Sequence, residues 1–379
     1  MRVKVPRPGA VSLATLARRS VGLVCFFLIF LSAVTAAAHV LPQSNAASGL
    51  GAILLFGFLF ICVLIHELGH AIAAAAIGWR VHLIVVFKVG YRPTAHRFQL
   101  VSRIGGADFA GFVLATPPVF GDWEKGRALY ILGGPLANFV ATIIMYSILG
   151  LVSLPDVWVG LLGGLALANL AMGFANLVPL WGPGVKRNDG ATLLSIAMGT
   201  RVSPAMQIMG WLSGSSYDGI KARDWMPTLV EQLESAEVRP EERVSRVLIL
   251  VSHYLGLGQL ERAHAFLESF PETADAQHPA ITIERAFLVA MVERDAARAA
   301  VLLEAIPSRL RQSYFNFWRA QMVVYALQGD AVQARSAARR ARRLARMRGG
   351  VIDDDDIALF SSVESGAPPP VRFERTQPA

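Results

Sequence analysis

Residues 50–78 read LGAILLFGFLFICVLIHELGHAIAAAAIG. This stretch is long and apolar enough to cross a bilayer as a helix. One acid interrupts it, Glu67, flanked by His66 and His70. An ionisable group in hydrocarbon is costly, so it asks for a functional reason. Residues four apart lie on one face of a helix, so His66 and His70 can offer two imidazoles to one metal ion. Glu67 then stands beside that metal, placed to accept a proton from an attacking water. The competing readings are a hydrogen-bonded histidine pair in a helix bundle and a proton relay in a transporter. The transporter reading lacks the paired repeats that such folds carry.

Outward from this stretch, charge sorts the chain. Only 17% of the 379 residues are charged, against about 25% in soluble domains, and the mean hydropathy is +0.45. Residues 1–200 hold 14 Lys+Arg and 6 Asp+Glu, so the whole net charge of +8 lies there; residues 201–379 hold 22 of each. Basic residues that flank apolar runs set membrane orientation, whereas nucleic-acid binding wants a basic patch on a soluble domain. Nucleic acid is therefore not an expected partner; the lipid bilayer is. Four spans are expected, at 21–38, 50–78, 128–155 and 157–185, with both termini cytoplasmic. The first reads as a retained helix in preference to a cleaved signal peptide ending at Ala36-Ala37-Ala38. Loop 79–126 carries β-branched and aromatic runs at 81–89 and 111–116, and is expected to form short strands at the membrane face. Cys25 and Cys62 lie in apolar runs and read as small buried hydrophobes.

A zinc site needs a third protein ligand and an open position. The candidate is Asp189, in Asn188-Asp189-Gly190 after the last span; a turn or helix-cap role is the alternative. Pro179 breaks the helix ahead of it. HELGH in one span, Gly133-Gly134-Pro135-Leu136-Ala137-Asn138 in the next, then Asn176-x-x-Pro179 and Asp189-Gly190, together resemble the site-2 protease family of intramembrane zinc metalloproteases. The resemblance covers residues ~50–200. It implies that His66, His70 and Asp189 bind catalytic Zn2+ and that Glu67 is the general base. It implies that Asn176 helps hold the substrate strand or an oxyanion, and that Gly133, Gly134, Pro135 and Asn138 shape the packing of their span. Here Asn176 and Asp189 stand 13 apart, further than in the family's short Asn-x-x-Pro-x-Pro-x-Leu-Asp-Gly run.

Residues 201–227 read as a linker and 349–379 as a disordered tail. Between them, LGLGQLERAHAFLESFP (255–271), MVERDAARAAVLLEAIP (291–307) and ALQGDAVQARSAARRAR (326–342) place Ala263, Ala299 and Ala334 at intervals of 36 and 35. The layout resembles tetratricopeptide repeats without their aromatic signature; a generic helical bundle is the alternative. Seven arginines between Arg335 and Arg348 read as a solvated helix face rather than a lipid-binding patch.

The whole is thus expected to be mainly α. It comprises an N-terminal basic segment, first span and outer loop (1–49), a polytopic metalloprotease core with its β-rich loop (50–200), and a cytoplasmic helical-repeat domain (228–348). The expected activity is zinc endopeptidase action on a transmembrane protein substrate in a bacterial cytoplasmic membrane. The repeats would bind substrate or a protein partner. The alternative is a catalytically silent membrane scaffold that acts through those repeats.

Overall fold

A computed structural model describes residues 28–29, 31–36, 47–100, 110–179, 188–270, 278–311, 314–348, 354–367 and 369. The chain divides into two compact units, residues 1–87 with 109–201, and residues 88–108 with 202–379.

The first unit is built on helices α1 (Ala47–Ala76), α2 (Arg127–Leu151) and α3 (Asp156–Leu177). Among the described residues these are three helices long and apolar enough to span a membrane. Phe56, Ile72 and Ile143 are exposed by 73%, 68% and 64%. Such surfaces suit hydrocarbon and not water. What the helices bury against one another is small or polar. Gly69 on α1 and Gly133 on α2 face each other: a Cβ on Gly69 would lie 2.3 Å from the Gly133 carbonyl oxygen, and one on Gly133 2.5 Å from that of Gly69. Glycines let two spanning helices meet backbone to backbone, where dispersion replaces the hydrophobic effect as the driving force.

Most of the expected first span lies outside the described residues. Its helical residues 28–29 and 31–36 pack Ile29, Ala33 and Ala36 against Leu55, Phe58 and Cys62 of α1 and Ala168 and Ala171 of α3. The two later spans are shorter than the apolar runs suggest. α2 stops at Leu151, ahead of Pro155, and α3 stops at Leu177, ahead of Pro179. A proline disfavours helix in the residue before it.

Strand β1 (Arg80–Val86) pairs antiparallel with β4 (Gly111–Thr116), with an irregularity between Val81 and Leu83. Trp79, Ala115 and Ala74 form a small core beneath them, joined by Tyr130 and Trp123. The next helix, α4 (Asp189–Ala197), closes the unit.

The second unit contains the hairpin β2 (Val89–Arg92) and β3 (Arg97–Leu100), so the β-rich loop is shared between units. Thr94 Oγ1 donates to Asp218 Oδ1 at 3.0 Å. The stretch expected to be a linker is instead helix α5 (Pro204–Tyr217). Ser203 caps it, Pro204 opens it, and Ile208, Met209, Trp211 and Leu212 are buried. Gly and Ser residues are common in loops, but here the Ser203 cap and the apolar face decide for helix.

Helices α6 (Pro227–Ser235), α7 (Arg243–Gly256), α8 (Leu260–Glu268), α9 (Pro279–Leu288, continued by a π turn at Val289–Glu293), α10 (Ala296–Glu304), α11 (Ser308–Arg311), α12 (Phe315–Leu327) and α13 (Ala331–Arg348) follow. The turns α7–α8, α9–α10 and α12–α13 pass through left-handed residues Gly258 (φ 68°), Arg294 (φ 59°) and Gly329 (φ 79°). Ala263, Ala299 and Ala334 are each fully buried on the second helix of their pair. Part of the expected disordered tail is helix α14 (Asp354–Glu364), anchored by buried Leu359, Phe360 and Val363. Its acidic start and proline-rich flank hid three apolar residues on one helical face, which the core takes up.

Candidate metal centre

His66 and His70 stand one turn apart near the C-terminal end of α1, both 6% exposed. Their Nε2 atoms lie 3.2 Å apart. Asp189 Oδ2, from the first residue of α4, lies 3.0 Å from His66 Nε2 and 3.5 Å from His70 Nε2. The insert at 180–187 that separates Asn176 from Asp189 lies outside the described residues, and the acid nevertheless reaches both histidines.

The far ring nitrogens explain why the three atoms converge. His66 Nδ1 lies 2.8 Å from Asn138 Oδ1. Asn138 Nδ2 in turn donates to the Cys62 carbonyl at 3.0 Å and to Asn169 Oδ1 at 2.8 Å. Those two acceptors fix which end of the Asn138 amide is oxygen. His66 Nδ1 must therefore be the donor. His70 Nδ1 lies 2.8 Å from the Tyr130 carbonyl, an acceptor only, so it donates as well. In neutral rings both Nε2 atoms then carry lone pairs. Two lone pairs and a carboxylate oxygen meeting at one point repel unless a cation lies between them. Asp189 Oδ2 and Glu67 Oε2 are buried without a hydrogen-bond partner among the described residues.

The spacing fits zinc. Tetrahedral ligands at ~2.0–2.1 Å stand about 3.3 Å from one another, close to the three observed distances. Three protein ligands also leave a position open, as catalytic zinc sites do. Asp189 is outside the spanning helices. Burial pushes its carboxyl up, and without a cation N–H groups on the two imidazoles would outweigh that and hold it at about 2. Either those protons or a cation among the three groups favours the ionised carboxylate.

The helices supply room as well as ligands. A Cβ on Gly134 would lie 2.4 Å from His70 Nε2 and 2.8 Å from His66 Nε2, so only glycine leaves the imidazoles their place. Pro135 and Asn138 are buried on the same helix. Gly190 sits where a Cβ would lie 2.1 Å from the Leu177 carbonyl oxygen, which brings the start of α4 against the end of α3. Asn188 holds that junction: its Oδ1 accepts from Ala191 N at 3.0 Å and its Nδ2 donates to the Val178 carbonyl at 2.8 Å. Pro179 is exposed just past the end of α3.

Glu67, 4% exposed, faces strand β4. A Cβ on Gly111 would lie 2.4 Å from Glu67 Oε1. Asn176 is turned onto its own helix, its Nδ2 donating to the Met172 carbonyl at 3.1 Å. Sequence reasoning did not single out Asn169, Tyr130, Asn188 or Gly111. Asn169 carried a signal, as a polar side chain inside an apolar span; the others became visible only through the fold.

Residues 54–158 match the model of Peptidase family M50. The match takes in HELGH and the Gly133–Asn138 segment, and ends before Asp189. A 122-residue stretch is also 34% identical to a Chlamydia trachomatis serovar D protein named "Putative zinc metalloprotease", covering 26% of this chain and 19% of that protein. The chain thus spans about a fifth of the length of that curated relative. No solved structure matches it. The matched stretch takes in most of α1 and all of α2, two of the three helices long and apolar enough to span a membrane.

Proposed function

We propose that the chain is an intramembrane zinc endopeptidase that hydrolyses a peptide bond within or next to a transmembrane segment of a membrane-protein substrate. The observation that carries this is the convergence of His66, His70 and Asp189, with ligand atoms all within 4.8 Å of one another, beside Glu67 on a spanning helix.

Bound there, zinc would act as a Lewis acid toward the scissile carbonyl and favour ionisation of water. The chain's residues do the rest. His66 and His70 are held with Nε2 inward by Asn138 and the Tyr130 carbonyl, and Asp189 completes the cage. Glu67 accepts the proton of the attacking water and returns it to the leaving nitrogen. A peptide bond in a helix is shielded by its own hydrogen bonds, so the substrate must unwind first. β4 offers the unwound segment an edge to pair with next to Glu67. The helix pairs of the second unit, read as tetratricopeptide-like, would lie in the cytoplasm and bind the substrate tail or a regulator.

The test uses a pool of Lys-flanked, Leu/Ala-rich peptides of roughly 25 residues, randomised at their centre, in detergent micelles with the full chain. Mass spectrometry of the products is expected to find cuts inside the apolar stretch. Glu67→Gln is expected to keep its zinc and slow cutting by about 10²-fold or more. Full activity in Glu67→Gln, or no cutting by a zinc-loaded wild type, contradicts the proposal.

A further inference from the structure

The geometry points to Tyr130 as a positioning residue that sets the register in which a peptide pairs with β4; this rests on the proteolytic reading above. Tyr130 lies in the first turn of α2, and both of its polar groups are committed. Its carbonyl accepts from His70 Nδ1 at 2.8 Å, and its hydroxyl donates to the Val113 carbonyl at 2.7 Å. One residue thus touches a zinc-ligand candidate and the strand beside Glu67.

The direction of the Val113 carbonyl follows from the ladder. Phe87 N donates to the Ala110 carbonyl, and the register continues as Val86↔Gly111, Val85↔Phe112 and Ile84↔Val113. Antiparallel pairs alternate between hydrogen-bonded and non-bonded. With 87 and 110 bonded, Phe112 bonds toward β1, while Gly111 and Val113 turn their N–H and C=O groups to the opposite edge. That edge receives an added strand. At Gly111, against Glu67, neither group has a described partner. At Val113 the Tyr130 hydroxyl sits 2.7 Å from the outward carbonyl, in the place a strand's N–H would need. An incoming strand can therefore exchange both bonds with Gly111 but not with Val113. The ladder is limited to the position that abuts the general base, and the scissile bond is placed with it.

Tyr130→Phe removes only the hydroxyl. It keeps the backbone carbonyl that holds His70 and the ring that packs beside His70 and Trp79, at centroid distances of 5.6 and 5.3 Å. With the Val113 carbonyl open, a strand can bond there as well. Side-chain alternation makes the next equivalent register a slip of ~2 residues. The full chain and Tyr130→Phe are compared on the same Leu/Ala-rich peptide pool, with zinc content measured on both. The expected result is wild-type zinc, new cuts displaced by about two residues, and kcat/KM at the original bonds lowered about 5-fold, the scale of one hydrogen bond. Unchanged cut sites and kcat/KM overturn the inference. So does loss of zinc or uniform loss of cutting at every bond, which would make Tyr130 a support of the fold alone. A zinc-loaded wild type that cuts nothing would instead overturn the proteolytic reading.

Discussion

At the scale of single residues, the centre depends on which nitrogen of each histidine carries the proton. Asn138 decides this for His66, and is itself held by Cys62 and Asn169. Outer partners of this kind typically tune metal affinity by 10–100-fold. Asn138→Ala is expected to weaken zinc binding by about that factor, measured by competition with a chromogenic chelator, while the protein still folds. Gly134→Ala acts differently, because its methyl would occupy the space of both imidazoles. That variant is expected to lose zinc outright; a zinc-loaded Gly134→Ala chain would show that the imidazoles have freedom the structure denies them. His66, Glu67 and His70 were legible from the sequence because helical periodicity alone places them. Asp189 was legible as a candidate only, since its approach depends on how α4 turns back onto α3.

At the scale of elements, α4 is set in place by its cap. Asn188 bonds forward into α4 and back to the end of α3. Replacing an N-cap asparagine costs about 1 kcal/mol. Asn188→Ala should therefore lower stability by about that amount and also weaken zinc binding, because Asp189 is the next residue. A stability loss with zinc affinity unchanged would separate the cap from the site. The three spanning helices were legible from their apolar runs, but two of their ends were not: the runs to 155 and 185 overshoot Leu151 and Leu177. Helix α5 was not, because composition pointed to a loop while Ser203, Pro204 and a buried apolar face specified a helix. The partition of the β-rich loop was also hidden: short strands reveal themselves in sequence, but the unit they join is decided by contacts distant along the chain.

At the scale of the molecule, each unit has its own buried polar centre. In the second unit it is Arg319, whose Nη2 lies 2.6 Å from Glu284 Oε2 and whose Nη1 lies 3.3 Å from Asp356 Oδ1 on α14. Its guanidinium also sits 4.2 Å from the Phe287 ring centre. Removing one partner of a buried ion pair costs about 3–5 kcal/mol. Arg319→Ala should lower the thermal midpoint of the chain's α-helical signal and free α14 to exchange its amides. Protection of α14 unchanged from wild type would contradict this. In the first unit the polar centre is the cluster of His66, His70 and Asp189, which we propose holds one zinc ion. Zinc is counted by mass spectrometry on detergent-purified wild type, His66→Ala and Asp189→Ala. The account predicts about one zinc per wild-type chain and its loss in both variants. A zinc-free wild type, or variants that keep their zinc, would contradict it.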